Sequence, residues 1–406
     1  MNTHHGNILF AHSGGVTSVV NTVAATIYRL AKAHQRKMFI SPYGVDGMTQ
    51  HTFIDGDGIA EDEWAKIHIT PSSAFGTSRK PFDNSPKALE RFFKNLQDLN
   101  IRTIFINGGN NSQIITQAIQ EASEAYQYPL QCIGIPKTID NDIHKTDTCP
   151  GFGSTAKYTA TSVYEISLDL AAMCFSSTQV LIYEAMGRDT GWIAAASALA
   201  KKHPYAGPHI ILLPEATFSI KSVIEKTRDI LATHKHCVIC LAEGIDDIDG
   251  LLSSAKHQYA YKSLHLSDIL QKELAIKAHT VIPDYLQRSA RHLSSHVDVM
   301  QTIALAEHAY LIAEKGKTGL MACIVRESTT PYTWHTSHIP LQDIAGKTRY
   351  LPSEFISQDQ MFVSDACIDY LQPLIEGEEQ TPYVAGVPDY SQFIYNNIAK
   401  KLEVLK

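Results

Sequence analysis

With 406 residues, 44% hydrophobic and 19% charged, the chain has the balance of a folded protein of two or three domains, which excludes disordered, collagen-like and coiled-coil architectures. A net charge of −7, from 35 Lys and Arg against 42 Asp and Glu, with no basic run longer than two residues, excludes nucleic acid as a main partner. Seven cysteines without regular spacing indicate buried thiols in a reducing compartment, hence a cytoplasmic protein, and no 18-residue apolar stretch or secretory leader argues for a membrane.

In chain order, short apolar runs alternate with segments of helical period, the rhythm of a parallel-sheet α/β fold. Asn7 to His12 reads as a strand, Ser13-Gly14-Gly15 as a turn and Val16 to Lys32 as a helix. Thr103 to Asn107 is a second strand, followed by Gly108-Gly109-Asn110-Asn111 and a helix from Ser112 to about Ala125. The strand Gln131 to Ile135 ends in Pro136-Lys137-Thr138-Ile139-Asp140-Asn141-Asp142. A long helix from Ser154 to Met173 then opens a second series. Its strands are Gln179 to Tyr183, His209 to Leu213 and Cys237 to Ala242, and its helices Ile193 to Lys201, Ile220 to Thr233 and Asp268 to Ala278. Ser295 to Glu314 is a further helix, and beyond Arg326 the alternation fades into Pro-rich and polar stretches.

In open α/β sheets, ligands bind beyond the carboxyl ends of the strands, so the three Gly-containing or polar turns should converge. The first two, at Gly14-Gly15 and Gly108-Gly109, each leave a strand and open a helix, where unpaired amides and the positive dipole end attract phosphate. A Gly-Gly turn is more often plain chain reversal, and neither turn has P-loop or dinucleotide-fingerprint spacing. The third turn is more specific, because Lys137, Asp140 and Asp142 gather one cation and two carboxylates after a buried strand. A carboxylate there suits proton removal from a hydroxyl nucleophile, Lys137 suits a transferring phosphoryl group, and the second carboxylate suits magnesium.

With Phe75-Gly76-Thr77-Ser78-Arg79, Met186-Gly187-Arg188 after Glu184, Ala242-Glu243-Gly244 and Tyr285-Leu286-Gln287-Arg288, these turns resemble the phosphofructokinase family over essentially the whole chain. The pattern is most similar to its diphosphate-dependent branch, which carries Lys in the third turn where ATP-dependent enzymes carry Gly. The resemblance implies two doubly wound, Rossmann-like parallel-sheet domains with an active site in the cleft between them. Residues 1–153, with part of about 285–320, would bind the phosphoryl donor; 154–284 would bind the sugar phosphate; 327–406 would be an extension packing on the second domain. It further implies reversible transfer from diphosphate to the 1-hydroxyl of fructose 6-phosphate with Mg2+, in a homo-oligomer, dimer or tetramer.

Matched position by position, Asp140 becomes the general base, supported by Thr138 and Asp142, with Lys137 and Arg188 also catalytic. Gly14, Gly15, Arg79, Gly109 and Lys137 take the diphosphate side; Met186, Gly187, Arg188, Glu243, Tyr285 and Arg288 take the sugar-phosphate side. The metal set is Asn110, Asn111 and Asp140. Three departures stand out: Asn110 and Asn111 where the family carries at least one Asp, Gln179 where it places Arg or Lys, and His279 where the ATP-dependent branch has Arg. An ATP-dependent phosphofructokinase and a catalytically impaired sugar-phosphate-binding subunit are the alternative readings. Cys237 and Cys240 read as core, His4, His5, His234 and His236 as surface, Asp55-Gly56-Asp57-Gly58 as a turn, and Trp192 as packing for the helix that follows it.

Overall fold

The computed structural model describes residues 6–50, 52–254 and 261–404; His4 and His5 lie outside them. The strands run β1 (Asn7–Ser13), β2 (Met38–Ile40), β3 (Ile54–Asp55), β4 (Ile101–Gly108), β5 (Gln131–Pro136), β6 (Val180–Ala185), β7 (Ile210–Leu212), β8 (Cys237–Ala242), β9 (Ala278–Val281), β10 (Leu320–Thr329) and β11 (Tyr332–Pro340). The chain divides into two compact units. Unit 1 takes residues up to Ser154, Arg288–Thr348 and from Gly377 on; unit 2 takes Thr155–Gln287 and Arg349–Glu376.

Unit 1 is built on a seven-stranded sheet ordered β11-β10-β5-β4-β1-β2-β3. Its central strands are parallel, with β3 and β11 antiparallel at the edges. Alternation along β1 fixes both faces. Ile8 and Phe10 point into one core with Val23, Ile27, Leu305 and Tyr310, while Leu9 and Ala11 point into another with Phe92, Leu96, Ile104 and Ile119. Helices therefore cover both faces, the doubly wound arrangement. The chain leaves β1 for β2 on one side and returns to β4 on the other, so a topological switch point falls between β1 and β4.

Unit 2 carries a parallel four-stranded sheet ordered β7-β8-β6-β9. The helix Ile220–His234 is started by a Ser219–Ser222 capping box and stopped by Lys235 in the left-handed region at φ +66°, so both ends are locally encoded. Among the described residues no helix is long and apolar enough to cross a membrane.

Several expectations are corrected. The helix after the first turn begins at Val20, not Val16, so Gly14-Gly15 does not open directly onto a helix end. The Asp268 to Ala278 helix is instead Lys262–Leu274, stopped by Ala275 at φ +52°, and Ala278 starts β9. The irregular tail expected beyond Arg326 contains the β10–β11 hairpin. The first four residues of β11, Tyr332 to His335, alternate half-buried and exposed positions, a period of two that its polar residues disguise. The 327–406 extension divides, because its residues up to Thr348 and from Gly377 on belong to unit 1, where Ser391 bonds Thr70. Only Arg349–Glu376 joins unit 2, where Trp192 donates to the Arg349 carbonyl at 3.2 Å under its guanidinium.

Candidate active site

The sheet register brings the three turns of unit 1 side by side: Ser13 pairs with Gly108, and Gly108 with Pro136. Gly14 occupies φ +77°, a conformation glycine adopts without strain. Its N–H donates to Ser78 O at 2.9 Å, and Thr77 Oγ1 donates to Gly14 O at 2.8 Å. These bonds carry the turn holding Arg79 onto the first turn. A Cβ placed on Gly15 would stand 3.6 Å from Arg288 Nη1 and 4.0 Å from Arg79 Nη2, so two guanidinium groups crowd one glycine.

Lys137 is the third cation. It is 2% exposed, and its ammonium donates to Ser13 O at 2.8 Å and to Gly15 O. Burial first, then the charges of Arg288 and Arg79, pull its pKa from 10.5 down to about 7, against an opposing pull from Asp140. Behind it, His12 is buried and pushed down to about 3 by burial and then by Lys137, so it stays neutral at physiological pH. Gly109 caps the helix Asn110–Ala125 with no side-chain cap bond; the Ser112 and Gln113 N–H groups donate to Gly109 O at 2.9 and 3.2 Å, so the helix opens at the site with the Asn110 and Asn111 amides foremost.

On the third turn, Thr138 Oγ1 accepts from Asp140 N–H at 3.0 Å, Asn141 holds φ +52°, and its Oδ1 accepts from Cys149 N–H at 3.0 Å. Asn110 Nδ2 donates to Asp142 Oδ2 at 3.0 Å and to Asp142 O at 3.3 Å. The Asn110 amide nitrogen is thereby turned to the third turn, leaving Oδ1 as its acceptor. Oxygen donors on Asn110, Asn111 and Asp140 suit a hard dication. Among the described residues no group of three or more His, Cys, Asp or Glu could hold a metal ion.

Unit 2 gathers its own predicted residues. Ala185 pairs with Ala242, so Met186-Gly187-Arg188 and Glu243-Gly244 leave neighbouring strand ends. Gly187 sits at φ +125°, where a Cβ would meet Thr190 O at 2.5 Å. Gly244 N–H donates to Gly187 O at 3.3 Å and Glu243 N–H to Ala185 O at 2.9 Å, and a Cβ on Gly244 would run into the Arg188 backbone. Burial raises the Glu243 pKa, and the Arg188 charge opposes it. Tyr285 is exposed. Gln179 begins at the other end of β6 from Met186, about 20 Å away at strand rise.

Arg288 departs from expectation. Read by resemblance as a sugar-side residue, it lies in unit 1, within the part of about 285–320 expected there, and its guanidinium reaches Gly15. Sequence reasoning missed Gln287, which is buried and accepts from Met186 N–H at 3.1 Å; it lies within the motif but carries no charge to flag it. Also missed was Asp298, buried three residues into the helix His296–Glu314, where it accepts from Gly151 N–H, Ser154 N–H and Ser154 Oγ at 3.0, 3.0 and 2.6 Å. It anchors the start of the helix Phe152–Met173, a role decided by a partner over 140 residues away. A cavity of about 730 Å³ in unit 2, lined by Ile220, Lys221, Arg228, His265 and Glu273 among others, holds none of the predicted residues.

The phosphofructokinase family profile matches residues 7–312. A Xanthomonas campestris protein named pyrophosphate–fructose 6-phosphate 1-phosphotransferase is 39% identical, covering 98% of this chain and 98% of that one. Its namesake from Halomonas elongata is 36% identical, covering 98% and 99%. The crystal structure of a pyrophosphate-dependent phosphofructokinase from Marinobacter aquaeolei matches with a TM-score of 0.88 at 36% identity, covering 95% of this chain and 96% of that one. With the profile spanning three quarters of the chain, and relatives agreeing in sequence and fold from end to end, this protein belongs to the phosphofructokinase family.

Proposed function

We propose that this protein transfers a phosphoryl group reversibly from diphosphate to the 1-hydroxyl of fructose 6-phosphate. The observation that carries the reading is the meeting of Lys137, Arg79 and Arg288 around Gly14-Gly15. Burial, and then the neighbouring charges of Arg288 and Arg79, bring Lys137 to lose its proton near neutrality, and a compact polyanion offsets both the burial and the mutual repulsion of the three cations. In this reading diphosphate lies against these cations and the amides that open the helix after Gly109. Asp140 takes the proton as the sugar 1-oxygen forms its bond to phosphorus and the bridging bond of diphosphate breaks, releasing phosphate. Arg188, Glu243, Met186, Gly187 and Tyr285 in unit 2 take the sugar phosphate, with Arg188 as the cation and Glu243 accepting from hydroxyls. Mg2+ would be held by Asp140 with the Asn110 and Asn111 amide oxygens, and supplies charge neutralisation of the transferring group when bound.

A cytoplasmic location and homo-oligomeric assembly belong to the same proposal. The first is supported by seven buried free cysteines, the second by Tyr164, Leu168 and Phe175, which expose apolar surface along and just past one helix. Turnover is the test. Purified protein given magnesium, diphosphate and fructose 6-phosphate should form fructose 1,6-bisphosphate and phosphate, and should run backward from those products. No turnover at any magnesium concentration overturns the proposal.

A further inference from the structure

Residues 377–393 lie in unit 1 and touch both the chain segment that leads into Arg79 and the one that follows Arg288. At one end, His296 N–H donates to Gly377 O at 3.2 Å and Glu378 pairs with Ser295 in an antiparallel bridge. Glu379 then lies 3.7 Å from Arg291 Nη2 and 2.7 Å from His296 Nδ1. Arg291 is 1% exposed, and its terminal nitrogens have no hydrogen-bond partner among the described residues. Glu379 is therefore the leading counter-charge to its burial, ahead of Asp298. At the other end, Asp389 pairs with Lys66 at 3.0 Å. Ser391 N–H donates to Thr70 Oγ1 at 2.9 Å and its hydroxyl bonds Glu63. The Phe393 ring meets Phe75 edge-on at 5.6 Å.

These two contacts fall where the donor-side arginines need support. Phe75 opens the turn that carries Arg79, and Arg291 follows Arg288 by three residues. Neither arginine sits inside an element long enough to hold it. Arg79 is in an irregular turn, and Arg288 is in a four-residue helical turn, Leu286–Ser289. The Gly14 bonds to Thr77 and Ser78 hold the middle of the Arg79 turn, and the Phe393–Phe75 contact packs against its start.

We infer that residues 377–393 form a strap that positions the donor-side arginines, setting Arg79 through Phe393 and Phe75 and Arg288 through Glu379 and Arg291. Phe393 and Glu379 are positioning residues, since they act through other residues. The inference rests on the proposed role of Arg79 and Arg288 in meeting diphosphate.

The test uses the full-length protein and measures KM for diphosphate, KM for fructose 6-phosphate, kcat and thermal melting in F393A, F393L, E379Q, R79M and the R79M/F393A double variant. F393A and E379Q should each raise the diphosphate KM roughly tenfold, within the range for a misplacement of about 1 Å, with the fructose 6-phosphate KM unmoved. F393L, which keeps apolar contact with Phe75, should recover most of the loss. F393A should add little when Arg79 is already gone, as coupled sites do. If F393A does not fold, F393L set against E379Q carries the comparison. Unchanged diphosphate KM in F393A and E379Q, or equal rises in both KM values, alongside a raised diphosphate KM in R79M, overturns the strap and leaves the site reading standing. An unchanged diphosphate KM in R79M overturns the site reading, and the strap with it.

Discussion

Lys137 joins burial, charge and the proposed function in one side chain. Its pKa near 7 means that the free protein presents three cations below neutrality and two above. Diphosphate binding should therefore weaken as pH climbs through about 7, and binding at pH 8 should take up a proton. Calorimetry in buffers of different ionisation heat reads this uptake, which should vanish in Lys137→Met. The sign for folding is the reverse of a salt bridge. The unfolded amine holds its proton to about 10.5 while the folded one has lost it, so this group adds stability as pH rises between those values. For Asp140→Asn, the rate should fall by on the order of 10² to 10⁴ while fructose 6-phosphate affinity stays; a near-normal rate would move the base to another group. Asn111→Asp should lower the magnesium midpoint of the rate, because a carboxylate attracts a hard dication more than an amide oxygen does. An unmoved midpoint would show that Asn111 lies outside the metal set.

Individual elements were legible where the signal is local. β8 was read to the residue, and the helix after Ser219 to within one residue of its end, because apolar runs, a capping serine and turn residues lie next to one another in sequence. The three turns converge as the rule for strand ends requires, since parallel β1, β4 and β5 end side by side in the sheet. What stayed hidden depends on distant partners. The hairpin of β10 and β11 reads as polar loop until β5 supplies its neighbour, and Asp298 shows no role until Gly151 and Ser154 reach it. Arg288 was placed with Tyr285 on the sugar side by matching to the family, and although the return of the chain to unit 1 near residue 285 was anticipated, its nearness to Gly15 depends on a turn more than 270 residues away. The turn after β6 offers an element-scale test. Gly187→Ala forces a Cβ against Thr190 O at φ +125°, so the turn must shift and carry Arg188 with it. The fructose 6-phosphate KM should rise roughly ten- to hundredfold, as for a displacement of about 1 Å, with the diphosphate KM unchanged; equal rises in both would point to general unfolding.

Across the whole molecule, the proposed division of labour between the units is what would make such separate effects measurable. Unit 1 holds the cations around Gly14-Gly15 and the carboxylates of the third turn, while unit 2 holds Arg188 and Glu243 on adjoining strand ends. The central claim is that this constellation takes its phosphoryl group from diphosphate, with Lys137 bonded onto the backbone of the first turn in place of the glycine that the ATP-dependent branch carries. The most direct measurement is the initial rate of fructose 1,6-bisphosphate formation by the purified protein with magnesium and fructose 6-phosphate, run side by side with diphosphate and with ATP as donor. The account predicts sustained turnover with diphosphate and little with ATP. An equal or faster rate with ATP would contradict it.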